Sequence, residues 1–234
     1  MSELTQMLPI DSFEALSAEA AIDRVLAESS GAACFTCSFQ AEDMIVLDLL
    51  RKRVPDIPVL LLDTGYHFAE TYGYRDMMVA AWGLNLRNLT AKKTVAEQEA
   101  EFGILNRTDP TKCCQLRKVE PLFAALQDYE VWFTGLRREQ SPTRRNLKIV
   151  EHHALPTGKV LLKVSPLAAW TWGDVWKYTA DNKIPFLPLY DAGYRSIGCE
   201  PCTAIPQEGA DARSGRWGGA KLECGIHTDS KRVD

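Results

Sequence analysis

The sequence predicts an α/β fold: a doubly wound, mostly parallel sheet of the Rossmann-like kind, ending in a flexible C-terminal tail. Three observations carry that expectation. Short apolar runs bounded by Gly or Pro alternate with stretches of helical spacing along most of the chain. The junctions between them are short, as right-handed βαβ units require. The clearest run, "IPVLLLDTG" (57–65), is apolar almost throughout, which is how a strand covered on both faces reads.

The elements follow in order. Residues 13–29, "FEALSAEAAIDRVLAES", have helical periodicity, with Asp11 or Ser12 placed to cap them. "AACFTCSF" (32–39) is short, apolar and partly β-branched, and predicts the first strand. "AEDMIVLDLLRKR" (41–53) returns to helical spacing and ends in basic residues, which suit a helix C-terminus. The second strand (57–65) leads into a helix over about 67–82. "LNLRNLT" (84–90) predicts a third strand, "CCQLRKVEPLFAAL" (113–126) a helix, and "YEVWFTGL" (129–136) a fourth strand. "NLKIVE" (146–151) and "KVLLKVSPL" (159–167) suit a small hairpin-like pair. "TWGDVWKYTADNK" (171–183) is an amphipathic helix with Thr171 as its cap. After about residue 190 the periodicity fades, and 206–222 is rich in Gly and charge. The expected organisation is one domain over 1–205 and a mobile tail over 206–234.

Composition narrows the function. The 234 residues are 46% hydrophobic and 25% charged, ordinary for a chain with a real core. A net charge of −4 argues against a broad nucleic-acid surface. No apolar run approaches the roughly 18–20 residues that cross a bilayer. The opening "MSELTQMLPIDSFEAL" lacks the basic and apolar regions of a secretory signal. A cytoplasmic protein with neither membrane nor nucleic-acid partner is expected. Seven cysteines in such a chain point to metal binding or catalysis rather than disulfides, and the odd count leaves at least one to act alone.

Four of these cysteines form a possible tetrathiolate. Cys113 and Cys114 are adjacent, and Cys199 and Cys202 make a C-x-x-C in "IGCEPCT". A C-x-x-C alone serves zinc, an iron–sulfur cluster or a redox pair. Pro201 and the glycine-flanked context argue for a loop, against the redox motif that opens a helix. Adjacent side chains on a helix point about 100° apart, which suits neighbouring irons of a [4Fe-4S] cluster better than one zinc ion. Cys34 and Cys37 sit in the first strand and read as packed core thiols.

Cys224 stands alone in "LECGIHT" (222–228), with Lys221 and His227 near it and Glu223 opposing them. By itself it reads as an incidental thiol. With the arginines of "RSGR" (213–216) it also suits a mobile nucleophile that docks on an anion. The pairs Arg117/Lys118, Arg137/Arg138, Arg144/Arg145 and Arg213/Arg216 concentrate positive charge near the predicted strand ends, where bidentate arginines suit phosphate or sulfate. There is no Walker motif and no G-x-G-x-x-G, so a long phosphate chain is not expected.

In order, "SFQAED", "LDTG", "KCCQLRK", "TGLRREQS", "IGCEPCT" and "ECGIH" closely resemble the assimilatory adenylyl-sulfate (APS) reductases, relatives of the PAPS reductases in the adenine-nucleotide α-hydrolase-like superfamily. The resemblance covers about residues 30–228. It implies that Cys113, Cys114, Cys199 and Cys202 ligate a [4Fe-4S] cluster and that Cys224 is the nucleophile, with His227 either assisting it or packing the closed tail. Ser38, Phe39 and Gln40 would hold the phosphosulfate end. Leu62, Asp63, Thr64, Gly65 and Gly135 would contact the adenosine through the backbone. Lys118, Arg144, Arg213 and Arg216 would bind sulfate and phosphate, although in "SPTRR" either Arg144 or Arg145 stands at the family's arginine.

The implied reaction reduces APS to sulfite and AMP through a cysteine S-sulfonate, in sulfate assimilation and cysteine biosynthesis. The implied reductant is thioredoxin, with glutaredoxin as a variant, and the implied assembly a homo-oligomer. All four cluster cysteines are present, which within the family goes with APS; PAPS or dual use is the alternative. A tRNA-thiolating enzyme would need a glycine-rich pyrophosphatase loop, which "SFQAED" is not. A zinc-stabilised, non-catalytic nucleotide-binding module would leave Cys224 unexplained.

Overall fold

The structure, a computed structural model, describes residues 8–221 and 223–227. The first helix, α1 (Ala18–Glu28), begins five residues later than its periodicity predicts. Ser17, rather than Asp11 or Ser12, caps it by accepting the N–H of Ala20 at 3.2 Å, and residues 10–13 form a separate tight turn that buries Phe13. Strand β1 (Ala33–Thr36), helix α2 (Ala41–Arg51) and strand β2 (Val59–Asp63) fall inside their predicted spans. Helix α3 (Ala69–Trp82) ends at Gly83, whose φ of 61° is the left-handed conformation that closes a helix. Strand β3 (Leu86–Thr90) follows.

The next stretch is more broken than the sequence suggests. Helix α4 (Val95–Phe102) was not expected, yet Thr94 and Glu97 form a complete capping box at its start. After the short α5 (Leu105–Thr108), Asp109 caps α6 (Pro110–Cys114). The single predicted helix 113–126 is instead three pieces: the end of α6, a π-helical turn over Gln115–Val119, and α7 (Glu120–Ala125). Such π turns cluster at functional positions because the extra residue re-aims the side chains around it.

Strand β4 (Val131–Phe133) is fully buried. Strands β5 (Val150–Ala154) and β6 (Val160–Val164) form the expected antiparallel pair, although β5 starts four residues into its predicted span. Ile149 is drawn off by a hydrogen bond from its N–H to Glu14 at 2.9 Å. Helix α8 (Trp172–Asp181) carries the capping box of Thr171 and Asp174.

The six strands lie in the order β3-β2-β1-β4-β6-β5, parallel except for β5. The inner strands β1, β2, β4 and β6 are covered on both faces, which explains their continuous apolar runs, whereas the edge strand β3 is largely exposed. Successive side chains alternate between the two faces. Phe35, Val131 and Phe133 pack on one face with α1 and α2. Cys34, Leu60 and Trp132 pack on the other with Leu122, Phe123 and Leu126. Cys34 and Cys37 are core thiols, as expected. Among the described residues no helix is long and apolar enough to cross a membrane.

Candidate active site at the carboxyl edge of the sheet

From β1 the chain runs outward through β2 to β3, then returns to place β4 on the opposite side of β1. The loops therefore diverge at the carboxyl ends of β1 and β4, the switch point where ligands enter open α/β sheets. A cavity of about 400 Å³ lies there, a size suited to a small organic ligand. Ser38, Gln40, Leu62 and Gly135 line it from the strand ends.

The "SFQAED" loop is held by its own acid. Asp43 accepts both the N–H and the Oγ–H of Ser38 at 2.6 Å, and burial pushes its carboxyl up to about 6. Gln40 donates to Ser38 Oγ at 2.9 Å and accepts the N–H of Ile197 at 2.8 Å, tying this loop to "IGCEPC". Gly135 is required on the opposite wall, because a Cβ there would lie 2.1 Å from Asp43 Oδ1. Glu42 is occupied by Arg137, which donates through Nε and Nη2 at 3.0 and 2.8 Å. Arg137 is thus committed to an ion pair within the wall.

Four predicted contacts are placed elsewhere. Phe39 has a φ of 58° and buries its ring in the core against Tyr74. Asp63 accepts from Tyr72 and from the N–H of Gly65. Thr64 turns its hydroxyl to Cys199 Sγ at 3.2 Å, and its carbonyl accepts from Arg117 Nε. Neither these three residues nor Phe39 line the cavity; of "LDTG" only Leu62 does. The physical reasons are local: the core takes up the Phe39 ring, Tyr72 and the Gly65 N–H hold Asp63, and Cys199 holds Thr64, just before the chain turns at Gly65 (φ 71°).

Cys113, Cys114, Cys199 and Cys202 border a second, smaller space beside the first. All are free and buried, and Cys114, Cys199 and Cys202 pack together with Trp217. Burial, reinforced by the other three sulfurs, pushes the Cys113 thiol up to about 11. Cys199 goes the other way: burial opposes ionisation, but Lys118, Thr64 and Arg216 hold it below the usual thiol value. Among the described residues no three His, Cys, Asp or Glu side chains gather closely enough around one point to hold a single ion. The four thiols border one small space instead. Trp217 Nε1 and Asn106 Oδ1, both at this space, are buried without a hydrogen-bond partner among the described residues. An orphaned indole N–H beside thiols suits an anionic sulfur acceptor. This donor set fits an iron–sulfur cluster.

Lys118 joins the two spaces, since it lines both. The π turn puts it there, one irregular turn beyond Cys114. Burial works against its charge, but Cys199, Cys224 and Cys114 outweigh that and hold it firmly protonated. Its neighbour Arg117 is buried on structural duty, donating to the carbonyls of Thr64 and Lys93 and to Gln98.

From residue 212 to 227, where described, the chain contributes to this site. Arg213, Arg216, Trp217, Cys224, Ile226 and His227 all line the main cavity. Arg216 bonds Ser196 Oγ at 3.5 Å. Trp217, a residue the sequence reading passed over, carries Arg216 at 4.6 Å and Lys221 at 4.9 Å from its ring centroid and packs with Cys114, Cys199 and Cys202. Arg144 lines the cavity and grips Glu223 at 2.9 and 2.7 Å, whereas Arg145 is exposed. Of the two, Arg144 is therefore the arginine at the site. Burial, then Arg144, lowers the Arg213 guanidinium to about 10. The predicted tail residues 222 and 228–234 lie outside the described residues.

Fold and site together define a doubly wound α/β protein of the nucleotide-binding class, with arginines lining its cavity and thiols beside it. Residues 32–205 match the phosphoadenosine phosphosulfate reductase domain, and the chain belongs to that family. It is 50% identical over 198 residues to the adenosine 5'-phosphosulfate reductase of Mycobacterium tuberculosis, covering 82% of this chain and 77% of that protein. With the protein of the same name from Streptomyces coelicolor it shares 47% identity over 196 residues, 83% of this chain and 81% of the relative. The phosphoadenylyl-sulfate (PAPS) reductase of Candida auris, solved as a phosphate complex, has a similar fold: TM-score 0.70 at 24% identity, over 83% of this chain and 96% of that one.

Proposed function

We propose that this chain reduces adenylyl sulfate to sulfite and AMP, with Cys224 as nucleophile and a thioredoxin-type dithiol as reductant. The observation that carries the reading is the position of Cys224, on the wall of a nucleotide-sized cavity that Lys118, Arg144, Arg213 and Arg216 also line. The names of the relatives from M. tuberculosis and S. coelicolor support the same substrate.

The thiolate of Cys224 attacks the sulfur of the sulfuryl group, the S–O bond to the phosphate breaks, and AMP leaves with that electron pair. A thiolate approaching a charged sulfuryl group needs its repulsion offset, and the four cationic side chains do this in a partly buried site. Ser38 and Gln40 orient the substrate at the end of β1. The reductant's first thiolate then attacks Cys224 Sγ and expels sulfite with the bonding pair; its second thiol resolves the mixed disulfide and frees Cys224. The dithiol supplies both electrons.

Cys113, Cys114, Cys199 and Cys202 would hold a [4Fe-4S] cluster, the orphaned indole N–H of Trp217 supporting an anionic sulfur beside it. When bound, the cluster would tie the two cysteine pairs into one unit beneath the anion end of the cavity. Free thiols throughout suit a reducing compartment, which supports a cytoplasmic location.

The test is an intact-mass spectrum of anaerobically purified protein mixed with APS and no reductant. One sulfonate adduct is expected, absent in Cys224→Ser and released as sulfite by reduced thioredoxin. No adduct with APS but one with PAPS would reassign the substrate. No adduct with either would sink the role of Cys224.

A further inference from the structure

We propose that His227 is a positioning residue: stacked on Trp132, it seats the turn that carries Cys224 and so fixes the thiol at the cavity. The inference rests on Cys224 being the nucleophile. The His227 ring lies on the Trp132 indole with centroids 5.4 Å apart and planes 16° from parallel. Trp132 is a rigid platform. It is fully buried in β4, and its Nε1–H donates to Thr36 Oγ1 at 2.9 Å, at the end of β1 beside the cavity. His153 of β5 meets the same indole edge-on at 5.1 Å, and Lys163 of β6 lies 5.6 Å from its centroid. Ile226 packs on the same apolar cluster, to which Trp132 and Leu161 belong. Gly225, with a φ of 100°, makes the reversal that turns these two side chains back towards the sheet.

Cys224 therefore sits between two anchors. Glu223 is held on one side by Arg144, and by Thr143 Oγ1 at 2.9 Å; His227 is held on the other by Trp132. A general base would need its free nitrogen turned to the thiol and a basicity near the working pH. His227 Nδ1 is instead buried with no hydrogen-bond partner among the described residues.

The groups around the ring oppose protonation. Burial comes first, then Lys163, Arg144, His153 and Arg213, and together they hold His227 well below the ordinary histidine value. Glu151 and Glu223 pair with Lys163 and Arg144 and so only soften this. The sign follows. A histidine neutral when docked and titrating normally when undocked gives its full docking contribution above about pH 6.5 and loses it as the pH falls below that.

The test compares wild type, His227→Ala and His227→Phe in two single-turnover assays. One follows the S-sulfonation of Cys224 by APS, read by intact mass. The other follows alkylation of Cys224 by iodoacetamide without substrate. His227→Ala is expected to slow S-sulfonation by about 10- to 100-fold, the usual cost of a misplaced reacting group, while Cys224 alkylates faster. His227→Phe keeps the stack and is expected to recover most of that loss. Its rate relative to wild type should rise as the pH drops below about 6.5, since a phenyl ring cannot be expelled by protonation. Equal losses for Phe and Ala, or alkylation of Cys224 unchanged by His227→Ala, would overturn the proposal. Failure of wild type to form the sulfonate would instead overturn the nucleophile assignment, and the alkylation assay would still read the seating of the turn.

Discussion

The guanidinium of Arg216 lies across the α-carbon of Gly198, so close that a Cβ built on the glycine would meet Nη2 at 2.0 Å and Cζ at 2.5 Å. The relationship couples the cysteine loop, one residue before Cys199, to a buried cation of the tail. Gly198→Ala must push Arg216 off the cavity wall. The displaced group is the end of a flexible side chain, so stability should change by under ~1 kcal/mol. The S-sulfonation rate should fall on the order of 100-fold, the loss expected when one charge-stabilising donor leaves a site. Urea denaturation and single-turnover mass spectrometry on the same sample separate the two; a normal rate would refute Arg216 as an anion ligand.

Gly135 makes the opposite case. Its added Cβ would meet Asp43 Oδ1 at 2.1 Å and the Asp43 backbone at 3.1 and 3.2 Å, and backbone cannot swing aside. Gly135→Ala should cost ~1–3 kcal/mol, the usual range for overpacking, by prising the end of β4 from the start of α2. A lowered urea midpoint with unchanged slope is the expected result.

Glu223 and Arg144 form an ion pair whose side chains are only about 9–10% exposed. Breaking one half of such a pair is costly, but here the tail can lift instead of leaving a charge buried. Glu223→Gln should therefore raise the alkylation rate of Cys224 several-fold while the thermal midpoint of the sheet domain stays put. Burial opposes ionisation of Glu223, yet Arg144 and Arg213 hold its carboxyl below the ordinary value of 4.5. Its contribution to docking is thus complete above about pH 4.5 and fades as the pH falls through the lowered value. Wild type should show that acid release and Glu223→Gln should not.

Asp43 has the reverse sign. Burial raises its carboxyl to about 6 from an ordinary 3.8. Its protonated form favours the fold, so wild-type stability contains a term present below pH 3.8 that is lost as the pH rises through 6. Asp43→Asn can still accept from Ser38 through its amide oxygen and should be more favourable, relative to wild type, at pH 7 than at pH 4. A thermal-midpoint difference that is flat with pH would contradict this.

Removing one thiol tests the cluster. Cys199→Ser should lose iron and acid-labile sulfide, together with the visible absorption of an iron–sulfur centre, whereas Cys34→Ala, in the apolar core among Leu60, Leu122 and Trp132, should keep them. Equal iron in both, or zinc in wild type, would remove the cluster from the account.

Much of this was legible in the chain. Strands β1, β2 and β4 show as apolar runs because these inner strands are covered on both faces. Helix α8 shows through Thr171 and Asp174. Even α4 could have been read from the Thr94–Glu97 box. The cysteine pairs and the lone Cys224 carry their chemistry in their spacing and in the family motifs. Sequence by itself determined those features because each depends on residues close together in the chain, or on side-chain chemistry that needs no partner to be recognised.

Tertiary structure alone decided the rest. It sorted the basic pairs: Arg144 lines the cavity while Arg145 is exposed, Arg213 and Arg216 both line it, and Arg117 and Arg137 are taken up by Thr64, Gln98 and Glu42 in the walls. It broke the helix at Gln115 into a π turn, aiming Lys118 at both spaces. It turned Phe39, Asp63, Thr64 and Gly65 away from the cavity, and brought Trp217 against the thiols and His227 onto Trp132. These outcomes depend on which groups, often a hundred residues apart, compete for the same buried charge, hydrogen bond or ring face. That competition is settled only when the sheet has brought them together.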